Sequence, residues 1–437
     1  MAQQMKDSGI EWIGEIPESW RLLRMKSCIE QRDGGAWGDE ANGEEGDTIC
    51  LRIADFDYAR FRFKDTNIDE LTMRHYDMGV VQKLLLQAND ILIEKSGGGE
   101  KTPVGRTVLF DKSYPALFAN FMDRLRCASF VYPPFMQYLF VTFYKNDYTR
   151  NYIKQTTGIQ NLDLTSMLAN EKVAMPSPAE QQRIAAFLDR KCAEIDAVIE
   201  RTKATIEEYK KLKQAVITEA VTKGVRGPRP MKDSGIEWIG EIPNEWRVMR
   251  GKNLFVETNE RSTTGEEELL TVSHITGITP RSQKNVNMFM SESLVDYKIC
   301  RVNDMAANTM WMWQGAIGVS KYHGVISPSY NVYRQTSDEF APDYLDYLLR
   351  IRPLVDAYNA YSTGITASRL RLYPEQFLSF FFFVPSREEQ RVIVEHLDRM
   401  CHEMDTLIAK KTDLLTELET YKKSRIYEYV TGKKEVL

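Results

Sequence analysis

Ser96-Gly97-Gly98-Gly99-Glu100-Lys101-Thr102 comes nearest in this chain to a ligand-binding loop. A glycine run before Lys-Thr suggests a cradle whose backbone N–H groups surround phosphates. That loop needs the spacing G-x-x-x-x-G-K-[ST], and Glu100 separates the last glycine from Lys101. The segment therefore reads as a partly basic surface loop able to touch phosphates through backbone N–H groups. Tyr132-Pro133-Pro134-Phe135 has the shape of the Asn/Asp-Pro-Pro-Tyr/Phe motif that grips a target adenine. Tyr132 supplies neither the amide nor the carboxylate this grip requires, and no glycine-rich S-adenosylmethionine loop precedes it. Its counterpart, Ala341-Pro342-Asp343-Tyr344, reads as a plain helix start. His75, His274, His323, His396 and His402 give no i, i+4 pair and no H-E-x-x-H. Cys28, Cys50, Cys127, Cys192, Cys300 and Cys401 form no C-x-x-C and read as reduced, mostly buried thiols. No triad, metal cluster or nuclease carboxylate group stands out, so the expectation is no catalytic residue, no metal and no cofactor in this chain.

What remains is polar and aromatic loop chemistry. Arginine and lysine suit guanine edges, glutamine and asparagine suit adenine edges, and serine and threonine adapt to either. On that basis the first half offers Lys95, Ser96, Lys101, Thr102, Arg106, Gln160 and Asn161 as candidate DNA contacts. The second half offers Trp313, Gln314, Lys321, Tyr322, Ser368, Arg369 and Arg371. The competing reading makes Trp311 and Trp313 core residues and Arg369 and Arg371 ordinary surface charges.

The elements that must position these loops are set by an internal repeat. Met5–Pro17 reads MKDSGIEWIGEIP, and Met231–Pro243 reads the same, each followed by a Trp-Arg pair at 20–21 and 246–247. Each half closes on a related segment, PSPAEQQRI from Pro176 and PSREEQRVI from Pro385. Beyond these, Leu188-Asp189-Arg190 answers Leu397-Asp398-Arg399 at an offset of 209. Between the matched ends the halves diverge, with faint echoes such as Asn89-Asp90-Ile91 and Asn303-Asp304-Met305, or Thr157-Gly158-Ile159 and Thr363-Gly364-Ile365. Constant ends around divergent middles suggest one shared partner surface and two different ligands. The middles, with strands near Val104–Phe110, Asn331–Arg334 and Phe380–Val384 and helices at Pro133–Tyr144 and Pro342–Ile351, read as α+β domains.

Glu180 to Lys223 contains no proline or glycine, and its apolar positions recur at steps of four and three, as they do after Glu389. A 3.5-residue step places one seam along a helix: Ile184, Leu188, Ile195, Val198, Tyr209 and Leu212 in the first copy, and Ile393, Leu397, Met404, Leu407, Leu414 and Leu418 in the second. Ser177 with Glu180 and Ser386 with Glu389 have capping-box spacing, and Gly224 and Gly432 sit where C-caps belong. Rods of about 45 residues, roughly 70 Å at 1.5 Å per residue, are too long to bury a seam in one small domain. The economical partner is the other rod, giving an antiparallel coiled coil within the chain that holds the two middle domains at a set separation. Pairing between chains is the alternative. The expected division is 1–175, a first recognition domain with its opening motif; 176–225, a central helix; 226–384, a linker, second motif and second domain; and 385–437, a C-terminal helix.

With 437 residues, 43% apolar and 27% charged, the composition is that of a globular protein of at least two units. No apolar run approaches the ~20 residues of a membrane helix and no signal-peptide core is present, so the expected place is the cytoplasm. A net charge of −5 argues mildly against a free-standing DNA binder. A reader working inside a complex can leave phosphate neutralisation to its partners.

The opening motif S-G-I-E-W-I-G-E-I-P with its following tryptophan, and the P-S-x-x-E-Q segments leading into long helices, resemble those of type I restriction–modification specificity subunits. Trp313-Gln314-Gly315-Ala316-Ile317-Gly318-Val319-Ser320 and Gly324-Val325-Ile326-Ser327-Pro328-Ser329-Tyr330 are similar to one type of recognition domain in that family. The resemblance covers nearly the whole chain. It implies a non-enzymatic subunit whose two domains each bind one half of a bipartite, asymmetric site in double-stranded DNA. The paired helices would set the spacer and dock two methyltransferase subunits carrying S-adenosylmethionine, and motor–nuclease subunits would complete the complex. The alternatives are a self-contained DNA methyltransferase or nuclease, and a coiled-coil scaffold that reads no bases.

Overall fold

The structure, a computed structural model, describes residues 4–156, 158–237, 239–284, 293–364 and 370–436. The chain forms two compact units, one of Met1–Lys203 with Asp413–Leu437 and the other of Ala204–Thr412. The division falls inside the two long helices because the two ends of each helix belong to different cores.

In the first unit the opening motif is an antiparallel hairpin, Met5–Asp7 with Glu15–Pro17. Arg21–Arg24 then pairs antiparallel with Lys172–Met175, tying the start of the divergent segment to its end. Between them lies an antiparallel sheet in the order Thr107–Leu109, Ile91–Glu94, Met122–Cys127, Ile29–Gly34. The continuous apolar run Ile91-Leu92-Ile93 is a strand buried on both faces. Successive side chains point opposite ways, so Ile91 and Ile93 join one core with Phe135 and Leu139 of the helix Pro133–Lys145. Leu92 and Val108 join another with Cys50, Leu117 and Phe118 of a second sheet.

The second unit repeats the plan. Met231–Asp233 pairs with Glu241–Pro243, and Arg247–Arg250 with Phe381–Val384. The main sheet runs Phe255–Thr258, Asn331–Gln335, Met305–Ala307, Ile317–Val319. The faint Asn-Asp echo becomes a shared turn. Asn89 (φ 72°) and Asn303 (φ 70°) occupy the left-handed region that asparagine tolerates. The aspartates that follow are buried, and each accepts a bidentate arginine fork, Arg126 on Asp90 at 2.9 Å and Arg334 on Asp304 at 2.7 Å.

The long helices span Pro178–Lys223 and Arg387–Val430, 46 and 44 residues. Ser177 and Ser386 cap them, each hydroxyl accepting the backbone N–H three residues on at 3.3 Å. The capping box is only half made, because the glutamates turn elsewhere. Glu180 accepts the Trp20 indole N–H at 3.1 Å, and Glu389 that of Trp246 at 3.0 Å. Gly224 (φ 74°) and Gly432 (φ 72°) lie just past the helix ends as expected. Within each unit the helix segments run antiparallel. In the first, Phe187 stacks on Tyr429 and Asp196 pairs with Lys422. In the second, Lys213 pairs with Asp405, and a Cβ on Gly224 would come within 2.7 Å of Glu389.

The buried stripe differs from the 3.5-residue seam. Ile184, Leu188 and Ile195 are buried, but Val198 is 40% exposed and Leu212 49%. Ile393, Leu397 and Met404 are buried, whereas Leu407 and Leu414 are 41% and 38% exposed, and Tyr209 and Leu418 are half-buried. Burial instead follows Ile184, Leu188, Cys192, Ile195, Ile199, Thr202 and Ile206. At about 100° per residue these seven positions fall within an arc of about 80°, and Val198 lies about 40° outside it. The first turns of each helix also pack into a domain core, which imposes no 3.5-residue period.

Candidate nucleic-acid interface

In the first unit, two segments far apart in sequence meet. Ser96–Gly97 pairs antiparallel with Gln160–Asn161. The latter belongs to Ile159–Leu162, the return strand of a hairpin with Ile153–Thr156. The candidate stretches around Lys95–Arg106 and 156–161 thus share one three-stranded sheet.

Their side chains divide into positioning and exposed groups. Arg106 forks onto buried Glu94 at 2.7 and 2.9 Å and lies 3.6 Å over the Tyr58 ring. Burial pushes the Glu94 carboxyl up from its ordinary value, and Arg106 opposes that shift. Gln160 is buried and accepts the Val104 N–H at 3.3 Å. These two residues fasten the glycine loop, and their polar groups are turned mainly to partners within the domain. The loop itself is closed, since Gly99 and Thr102 each donate to the other's carbonyl. Those two N–H groups are spent, and the expected backbone cradle for phosphates is correspondingly reduced. Lys101, Thr102 and Asn161 are exposed and Ser96 half-buried, with the Ser96 hydroxyl donating to Asn161 Oδ1. Lys95 Nζ reaches the buried Asp123 at 2.6 Å, and Arg32 takes its other oxygen at 2.7 Å.

In the second unit the candidates do not converge to the same degree. Thr363 and Arg371 bridge with two 2.9 Å backbone hydrogen bonds, and Arg371 is exposed. Ser368 and Arg369 lie outside the described residues. Trp313 donates its indole N–H to the Met310 carbonyl and stacks on Trp311, which stacks on His274. Trp311 is 47% exposed and is therefore not a core residue. Gln314 lines a cavity of about 390 Å³ with His274, Arg350 and the helix residues Lys213 and Ile217. Lys321 is exposed and paired with Asp343 at 3.0 Å, while half-buried Tyr322 packs against a small core of Leu270, Cys300 and Ile326.

The reading from sequence missed the residues that do the same job in both units. Buried Gln181 accepts the Tyr132 N–H and donates to the Phe130 and Pro176 carbonyls. Gln390 accepts the Ala341 N–H and donates to Glu339 and Pro385. Tyr138 donates to Asp189 and Tyr347 to Asp398, both at 2.8 Å. Their identity in both copies was the available signal. Tyr132 and Ala341 thus precede proline-started helices and present their N–H groups to glutamine, in keeping with the plain helix start read at 341–344. Arg32 and Lys154 beside the sheet carried no such signal. Among the described residues no group of three or more His, Cys, Asp or Glu could hold a metal, and no helix is long and apolar enough to cross a membrane.

Residues 64–208 match the family described as type I restriction modification DNA specificity domain, in agreement with the resemblance carried by the opening motifs. The chain's fold is that of the specificity subunits of such systems. It is 26% identical over 244 residues to the putative type I restriction enzyme MjaX specificity subunit of Methanocaldococcus jannaschii, covering 54% of this chain and 53% of that protein. The match thus spans about half the length of the curated relative. A solved structure described as the structural basis underlying complex assembly and conformational transition of the type I R-M system superposes with a TM-score of 0.71 at 16% identity, covering 96% of this chain and 99% of that one. The HsdS subunit from Thermoanaerobacter tengcongensis gives 0.53 at 13% identity, covering 98% and 100%. At these identities the likeness is one of fold.

Proposed function

We propose that this chain is the DNA sequence-specificity subunit of a type I restriction–modification complex, acting in the cytoplasm. Each α+β domain binds one half of a bipartite, asymmetric site. The helices set the spacer and dock two methyltransferase subunits, to which motor–nuclease subunits add. The chain itself is non-catalytic, and S-adenosylmethionine is held by the methyltransferase subunits, which flip the target adenine.

The observation that carries this reading is the DNA-specificity match over residues 64–208, which includes the whole three-stranded sheet of candidate contacts. The repeated Trp–Glu and glutamine clamps support it, since they give two divergent domains the same seat on the helices. A self-contained methyltransferase draws little support from Tyr132-Pro133-Pro134-Phe135, where the tyrosine backbone is engaged by Gln181 and Phe135 is core.

The test is the methylome of a host expressing the chain with its methyltransferase. One gapped motif with a modified adenine in each half, on opposite strands, is expected; a continuous or palindromic motif overturns the proposal. Modification or cleavage of DNA by the purified chain with S-adenosylmethionine and Mg²⁺ would overturn its non-catalytic part. Exchange of residues 246–384 for another such domain should change one half of the motif, and an unchanged motif would favour a scaffold.

A further inference from the structure

We propose that the outward face of the three-stranded sheet in the first unit, carrying Ser96, Asn161 and Lys154, lies against base edges in the DNA major groove, with Lys95 and Arg32 on the adjacent phosphate. The inference rests on the DNA-reading assignment above and narrows it to named atoms.

The sheet register selects the face. Asn161 stands opposite Ser96 on one side and Lys154 on the other. On the next rung Gln160, between Gly97 and Gln155, is buried and holds the glycine loop. Side chains alternate along a strand, so Asn161 and Ile159 point the other way. Both are exposed, Ile159 by 50%. Beyond Gly97 only the two hairpin strands continue, toward Gly158 (φ 85°), where an added Cβ would meet nothing within 4 Å. The two hairpin strands, about 4.8 Å apart, form a ribbon of the kind that a major groove about 12 Å wide admits.

The chemistry of the row suits base edges. The Ser96 hydroxyl engages Asn161 Oδ1, which orients the carboxamide, and its NH₂ group has no partner among the described residues. A carboxamide so held presents a donor beside an acceptor, the complement of adenine N7 and N6. Lys154 is 74% exposed along its side chain, with Asp163 at 2.7 Å, and Ile159 offers the apolar contact that a thymine methyl takes. Lys95 and Arg32 share the one buried carboxylate of Asp123, leaving a net positive charge on two partly exposed donors. Backbone phosphate is the anion such a pair fits.

The test uses the full chain expressed with its methyltransferase subunits and read by methylome sequencing. Asn161→Ala is expected to relax one base position in one half of the motif by about tenfold or more, leaving the other half intact. Arg32→Ala should leave the motif unchanged but weaken binding of the purified chain to every duplex, lowering the salt slope by about 1. Should Asn161→Ala fail to accumulate, the near-isosteric Asn161→Asp removes the amide donor and must alter the same position. A fully active Asn161 variant with the wild-type motif in both halves overturns this proposal and leaves the DNA-reading assignment standing. A wild-type chain that yields no gapped motif overturns the assignment itself.

Discussion

The indole N–H of Trp246 donates to Glu389 Oε2 at 3.0 Å across 143 residues of chain, while Oε1 of the same carboxylate pairs with Arg229 at 2.5 Å. Among the described residues the first unit has the tryptophan bond without an arginine on Glu180, and in the sequence the repeat's counterpart of Arg229 is Gln3. Glu389 is also the more buried of the two glutamates. Glu389→Ala removes both the Trp246 bond and one of the two carboxylates on Arg229, which keeps Glu245 and the Lys223 carbonyl, and is expected to cost about 3 kcal/mol. Glu180→Ala should cost about 1–2 kcal/mol. Urea unfolding of the two variants measures the difference, and equal losses would contradict it.

The two lysine–aspartate pairs between the helices occupy equivalent repeat positions but differ in burial. Lys422 and Asp196 are 8% and 16% exposed, and Lys422 also donates to the Ala59 carbonyl. Lys213 and Asp405 are 23% and 59% exposed. Lys422→Met should therefore destabilise by about 3 kcal/mol or more, whereas Lys213→Met should cost about 1 kcal/mol or less. Added salt should weaken only the second pair appreciably, as melts at low and high ionic strength would show.

Adjacent residues on the central helix report its true stripe. Ile199 is 7% exposed, so Ile199→Ala is expected to cost about 2–4 kcal/mol. Val198→Ala, at 40% exposure, should cost about 0.5 kcal/mol or less. The reverse order in thermal melts would restore the 3.5-residue seam.

All six cysteines are unpaired and buried. Burial pushes the thiols of Cys28 and Cys192 up to about 11, and those of Cys127 and Cys300 up to about 12. Unfolded thiols ionise near 9, so above that pH the folded chain holds protons that the unfolded chain has released. This contribution is complete below pH 9 and is lost as pH rises toward 11–12. Unfolding free energies should fall across that window, with a shallower slope in Cys127→Ala. Native thiols should also resist alkylation at pH 8 until the chain is denatured.

Much of the architecture was legible because it is written twice. Identical opening motifs became identical hairpins, and the proline-started segments at 133 and 342 became helices. The long apolar periodicities became rods of nearly the expected length. The phase of the rods' stripe was lost because a 3.5-residue step is a property of supercoiled pairs, and these helices also serve domain cores. The interface was legible as segments but not as roles. Arg106 and Gln160 have the right chemistry for bases, yet a buried glutamate and a backbone N–H claim them. Arg32 joined the candidate surface only because Asp123 draws it to Lys95 from a distant strand. Such assignments depend on which partner lies across a sheet, and local spacing carries no record of that.

The first unit is assembled from segments far apart in sequence: Ile426, Tyr429 and Val430 complete the core that holds Trp12 and Ile13. On the ribosome that core must wait until Val430 has been made. At roughly 5–20 residues per second, synthesis of the intervening stretch leaves the earlier-made half without its closing side chains for on the order of ten to fifty seconds. Interruption of synthesis before residue 413 would accordingly damage the unit whose other residues, 1–203, had already been made.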